Sequence, residues 1–231
     1  MKRVVLPLLL VLAGLALWAW LIPESAEPPR TATTVATESS GEGSTGANPD
    51  SPEGLYADAR EALERGRAQE AAELLRRAAN RGHASAAFRL GALYEEGRGV
   101  ERDAERAVAW YRRAADAGDE RAWLNLAHMY AKGDGVPEDE SRAAHWYERA
   151  ARAGNAHAQY ALGLTYNRGG TGLERDRVAA WFWLTVAADS FGPNAFRDSA
   201  NQARTEIERR LTEAEMERAR ERLSRWHAAH D

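Results

Sequence analysis

A 36-residue period runs through the middle of this chain and constrains its fold more than any other feature. Gly82, Gly118 and Gly154 are spaced by 36 residues, as are Leu90, Leu126 and Leu162, and Tyr94, Tyr130 and Tyr166. Loops of matching form follow at Gly97-Arg98-Gly99-Val100 and Gly133-Asp134-Gly135-Val136, and a third, one residue longer, at Gly169-Gly170-Thr171-Gly172-Leu173. Asp103, Asp139 and Asp176 come next. They are followed by Ala107, Ala143 and Ala180, by Trp110, Trp146 and Trp183, and by paired alanines at 114–115, 150–151 and 187–188. Self-similarity at this period is the signature of a repeat architecture, in which each unit buries its apolar face against the next.

Within each unit the spacing predicts two helices. The first spans 84–96, 120–132 and 156–168, and the second 103–117, 139–153 and 175–190. Leu90 and Tyr94 share a face, and Ala107, Trp110, Tyr111 and Ala114 follow the i, i+3, i+4, i+7 stripe of a core-facing helix. Gly91 and Ala127 lie beside the core leucines, where a small residue lets the paired helix approach. The glycines at 82, 118 and 154 fall where helices end, and Asp103 and Asp139 are placed to cap the second helix. Shorter helical stretches flank the units. A pair over 54–65 and 68–81 joins through Gly66, and a last pair covers 193–210 and 213–230, with Thr212-Glu213-Ala214-Glu215 as a capping box.

The string Gly97-x-Gly99-Val100-x-x-Asp103-x-x-x-Ala107-x-x-Trp110-Tyr111-x-x-Ala114-Ala115-x-x-Gly118 resembles the Sel1-like repeat signature. It recurs with Gly133, Gly135, Val136, Asp139, Ala143, Trp146, Tyr147, Ala150, Ala151 and Gly154. The third copy departs from it by the longer loop and by Leu184 in place of the tyrosine. The resemblance implies an all-α fold, a right-handed α-solenoid of antiparallel helix pairs related to tetratricopeptide repeats. The units are then a tetratricopeptide-like N-terminal cap at 53–81, repeats at 82–117, 118–153 and 154–190, and C-terminal capping helices at 191–231.

The N-terminal segment differs from all of this. Lys2 and Arg3 precede an uncharged apolar run from 4 to 22 that ends near Trp18 and Trp20. Its length matches the ~17–25 residues that cross a bilayer as a helix, and the early positive charge keeps the N-terminus cytoplasmic. Residues 1–22 therefore read as a membrane anchor, with a cleaved signal peptide as the alternative; either exports the repeats, and the expected location is the periplasmic side of a bacterial inner membrane. From 23 to 52 the chain is rich in Pro, Ser, Thr, Gly and acids, with a single arginine, Arg30. That composition predicts a flexible linker.

Composition narrows the function. From 55 to 231 the chain holds 28 basic and 29 acidic residues with the signs interleaved, so no basic face is set aside for nucleic acid. Cysteine is absent, which excludes disulfides, thiolate metal sites and a cysteine nucleophile. The six histidines have no metal-ligand spacing, no Ser-x-x-Lys or phosphate-loop motif occurs, and no small-molecule cofactor is expected. The Trp and Tyr that recur in every copy read as core, and Trp146→Ala would then cost ~3–5 kcal/mol. Function is expected where the first helices differ: Arg89/Asn125/Ala161, Ala87/Trp123/Gln159, Ser85/Arg121/His157, Ala92/His128/Thr165 and Glu96/Lys132/Arg168. Tetratricopeptide relatives grip extended peptides on the concave face built from these helices. The resemblance makes Arg89, Arg121, Asn125, His128, Lys132, His157 and Arg168, with Trp123 as aromatic contact, the candidates for holding a partner's carboxylate or backbone. The expected role is a non-enzymatic adaptor. A regulator of peptidoglycan-acting enzymes, a weak β-lactamase-like hydrolase and a self-associating element are the alternatives.

Overall fold

The computed structural model describes Asn48 and residues 50–230. The anchor read over 1–22 and all but the end of the linker lie outside the described residues. The described residues form ten helices and no strand. They are α1 (Pro52–Glu64), α2 (Ala68–Asn80), α3 (Ala84–Glu96), α4 (Ala104–Asp116), α5 (Arg121–Lys132), α6 (Glu140–Arg152), α7 (Ala156–Arg168), α8 (Arg177–Ser190), α9 (Ala195–Glu208) and α10 (Glu213–His230). Consecutive helices pack on one another from α1 through α9, which is the expected stack of pairs.

Local chemistry sets the ends. Asp103, Asp139 and Asp176 each accept a backbone N–H two residues into the second helix of their pair, all at 2.9 Å. Those N–H groups otherwise lack an intrahelical partner. His83 and Asn155 do the same for α3 and α7. Thr212 and Glu215 close the reciprocal box that opens α10.

The core repeats with the period. Leu90, Leu126 and Leu162 are each at most 1% exposed, and Tyr111, Tyr147 and Leu184 fill the equivalent place on the second helices. Gly91 explains how Tyr111 fits, because a Cβ there would stand 2.8 Å from its ring. The Gly-x-Gly loop has a second task. Gly99 has φ +73°, and a Cβ on it would lie 2.3–2.4 Å from the Ala68 carbonyl; Gly135 meets the Ala104 carbonyl in the same way. Each loop thus docks backbone to backbone on the start of the preceding pair's second helix. The longer third loop keeps the contact by other means: Ser141 N–H donates to the Thr171 carbonyl at 3.3 Å, and Gly170 abuts Glu140.

Two expectations need correction. Trp110 and Trp146 are not fully buried core residues; they are partly buried and lie against the apolar clusters, whereas Tyr111, Tyr147 and Trp183 are buried. Nor do the last two helices form a repeat-like pair. α9 packs on α8 as a next first helix would, but α10 folds back chiefly onto α8. Its apolar residues Met216, Ala219, Leu223 and Trp226 meet residues of the third copy.

Candidate functional site

The first helices of the pairs, α1, α3, α5, α7 and α9, bring most of the candidate residues to neighbouring positions. Side chains reach across from α3 to α1, from α5 to α3 and from α7 to α9. Arg89 on α3 donates from Nε to the Tyr56 hydroxyl on α1 at 2.7 Å, and the Tyr56 ring stacks on His83 at 4.3 Å. Arg121 on α5 donates to Ser85 Oγ on α3 at 2.9 Å, and its guanidinium lies 4.6 Å from the centre of the Phe88 ring. It also binds both oxygens of the buried Asp119, at 2.9 and 2.6 Å. Asn125 reaches the hydroxyl of Tyr111, which donates to Glu95 Oε2 at 2.6 Å. Burial first, and then Glu95, hold the Tyr111 phenol well above its ordinary range.

His128 rests edge-on against Tyr147, with ring centres 5.5 Å apart. Burial, helped by the charges of Lys132 and His157, lowers its pKa to about 4. The ring is therefore neutral at pH 7, and the sign of its pH effect follows. Between about pH 6.5, the ordinary histidine value, and pH 4 the unfolded chain binds a proton that the folded chain refuses, so stability falls as pH drops through that window. A His128→Gln chain is expected to lose less stability than wild type between pH 7 and 4.5, measured by urea unfolding at each pH. An unchanged slope would mean that other groups carry the acid sensitivity. His157 packs edge-on against the stacked rings of Phe191 and Phe196, at 5.1 and 4.8 Å, and burial lowers its pKa as well.

Two candidates do not join this row. Trp123 packs against two apolar clusters, and Arg149 of α6 lies 4.6 Å from its ring centre and 5.1 Å from that of Trp146. Its counterparts Ala87 and Gln159 are buried and Trp123 itself is half-buried, so this position faces the neighbouring pair. Arg168 is paired with Glu140, a buried carboxylate at the start of α6. The residues missed are Tyr56, Glu95 and Asp119. Tyr56 stands 33 residues before its partner Arg89, because the tight loop at Gly66 shortens the first pair and shifts it off the period. Asp119 was detectable as a buried acid two residues from an arginine, in a turn that the period presents only as a connection. Among the described residues, no group of three or more His, Asp or Glu is arranged to hold a metal ion.

A family model described as the Sel1 repeat matches residues 52–83, 84–119, 122–155 and 156–190, together more than half of the chain. The chain belongs to the Sel1-repeat family. The first match covers α1 and α2, the pair that the sequence reads as a cap. Sel1 repeats belong to the tetratricopeptide-like superfamily and are in general protein–protein interaction modules, typically scaffolds without enzymatic activity. Among solved structures, a Sel1 repeat protein from Oxalobacter formigenes is 29% identical, with 68% of this chain and 61% of that chain covered and a TM-score of 0.54. This chain thus spans less than two thirds of that relative. The SLR-fold protective antigen c5321 of uropathogenic Escherichia coli is 26% identical over 77% of this chain and 45% of that one, with a TM-score of 0.42. Cysteine rich protein B of Helicobacter pylori is 24% identical over 44% of this chain and 92% of that one, with a TM-score of 0.38. No curated protein matches the chain.

Proposed function

We propose that this chain is a non-enzymatic adaptor of the bacterial cell envelope. In this reading residues 1–22 hold it to the inner membrane, the repeats stand in the periplasm, and the first-helix face grips an extended segment of a partner protein. One observation supports it above the others. The scaffold repeats, yet the side chains on α3, α5 and α7 differ from copy to copy and are tied across neighbouring helices, as Arg89 is to Tyr56 and Arg121 to Ser85. Side chains set in place before binding lose little rotamer freedom when a ligand arrives. Arg89 and Lys132 are assigned to the partner's carboxylates or backbone carbonyls. Arg121 acts mainly through Asp119, whose buried charge it neutralises, and Asn125 through the Tyr111 hydroxyl.

The test is affinity capture from detergent-solubilised membranes, with the full wild-type chain and an Arg89→Ala/Lys132→Ala chain. Arg121 is left intact because its loss would strand Asp119. The variant is expected to keep its helical circular dichroism and lose at least tenfold of the captured partner. Equal capture would move the binding surface elsewhere. In intact spheroplasts, added protease should digest the repeats; protected repeats would overturn the periplasmic assignment.

A further inference from the structure

Tyr111 and Tyr147 hold the same place in successive pairs, on α4 and α6, yet their hydroxyls meet different surroundings. The Tyr111 hydroxyl donates to Glu95 Oε2 at 2.6 Å and touches Asn125, and the residue is 0% exposed. One period later Glu95 becomes Ala131 and Asn125 becomes Ala161. Both alanines are half-buried and pack beside the cluster that contains Tyr147. The Tyr147 hydroxyl donates to no acceptor among the described residues, and the residue keeps 4% exposure. Its oxygen is not sealed from solvent, unlike the unpartnered ring nitrogens of Trp123, Trp181 and Trp183. A buried phenol ordinarily finds an acceptor. The first copy supplies one from its own first helix, and the second copy does not.

The hydroxyl is a donor. Burial first, and then Glu140, hold the Tyr147 phenol above its ordinary range, with Arg168 opposing. Beside it stands His128, neutral at pH 7, with its ring centre 5.5 Å from that of Tyr147. Lys132 is close enough for its charge to act on His128. Here too the copies differ, because the first helix ends in Glu95-Glu96 in one and in Ala131-Lys132 in the next. Lys132 is exposed and forms no ion pair with a described residue. The acids around it are engaged elsewhere, Glu140 by Arg168, Asp134 by Arg102 and Asp139 by Arg142. Glu138, across Gly133 in the following loop, makes no ion pair with it. The three ammonium donors of Lys132 are thus unused within the chain.

We propose that Tyr147 and Lys132, with His128 as the wall between them, form a binding site for an aspartate or glutamate side chain of the partner. That carboxylate takes, in the second copy, the place that Glu95 takes in the first. The Tyr147 hydroxyl donates to one of its oxygens and Lys132 pairs with the other. The site lies on α5 and α6, with α1 and α3 to one side and α7 and α9 to the other. An extended segment therefore continues past it both ways, which selects a side chain within the segment over a chain terminus. The inference rests on the first-helix face as the partner surface and adds the residue type that the partner presents there.

The test follows the hydroxyl itself. The full chain in detergent is labelled with 13C at the tyrosine Cζ, and the line of Tyr147 among the seven tyrosines is assigned by its loss in Tyr147→Phe. The probe is the peptide acetyl-Gly-Glu-Gly-amide. It is expected to shift the Tyr147 line saturably and leave the Tyr111 line in place. Acetyl-Gly-Gln-Gly-amide, and acetyl-Gly-Gly-Gly with a free terminal carboxylate, should bind at least fivefold more weakly. Lys132→Gln should weaken the glutamate peptide at least fivefold. Ala131→Glu, which installs the first copy's own acceptor, should move the Tyr147 line without peptide and abolish the response. Tyr147→Phe should leave the urea midpoint unchanged, whereas Tyr111→Phe should lower it. No saturable shift, an equal response to either control peptide, or an Ala131→Glu chain that responds like wild type would each overturn the proposal. Affinity capture separates it from the adaptor reading. If Arg89→Ala/Lys132→Ala loses the partner but Ala131→Glu captures it like wild type, the face stands and this site falls.

Discussion

Gly135→Ala is expected to lower stability by about 2–5 kcal/mol, far more than its single added methyl suggests. Two costs combine. A non-glycine residue at φ +70° meets the left-handed penalty of roughly 1–2 kcal/mol. The new Cβ would also stand 2.3 Å from the Ala104 carbonyl and 2.7 Å from the Glu105 nitrogen, backbone atoms that cannot rotate away, and overpacking of that kind costs about 1–3 kcal/mol. Gly118→Ala separates the two effects. Gly118 has φ +90° with nothing within 4 Å of its added Cβ, so it should show the conformational cost alone. Because repeat stability depends on nearest-neighbour interfaces, Gly135→Ala should also split the urea transition, monitored by circular dichroism, into two steps. If both variants lose the same stability, the loop glycine serves only its own turn and the docking of one pair on the next does not depend on it.

This glycine also illustrates what a one-dimensional reading recovers. The period gives the phase of the helices in the three repeats, so the caps at Asp103 and Asp139 and the core places of Leu90, Leu126 and Leu162 were legible in the sequence, and the cap at Asp176 repeats them. The candidate row on the first helices was legible for the same reason, since positions that vary on a repeating scaffold stand out. What a residue touches outside its own unit was not. Tyr56 escaped because its pair is off the period. The packing of Trp123 against Arg149 was not legible because the period does not say which face of a first helix meets the neighbouring second helix. Arg121 and Arg168 look like exposed cations in sequence, yet each neutralises a buried carboxylate, Asp119 or Glu140, supplied by a turn or by another pair. The largest miss was α10. Its apolar stripe shows that one face is covered, but a stripe carries no address, and the chain returns to α8 instead of continuing the stack.

That return makes three tryptophans of identical register unequal, and Trp183→Ala is expected to cost about 3–5 kcal/mol. Trp146→Ala should cost less, about 2 kcal/mol, because burial contributes in proportion to the apolar area removed from water and Trp146 is only partly covered. The difference is assigned to Trp226, whose ring lies 5.3 Å from that of Trp183. A double-mutant cycle isolates this contact: Trp183→Ala, Trp226→Ala and the double variant, unfolded in urea, should give a coupling of about 1 kcal/mol or more, within the range of contacting pairs. The same cycle between Trp146 and Trp226 should give none. A vanishing Trp183–Trp226 coupling would mean that α10 does not rest on the third copy in solution. A strong coupling would establish that the return of α10 onto α8 is what buries Trp183 more deeply than Trp146.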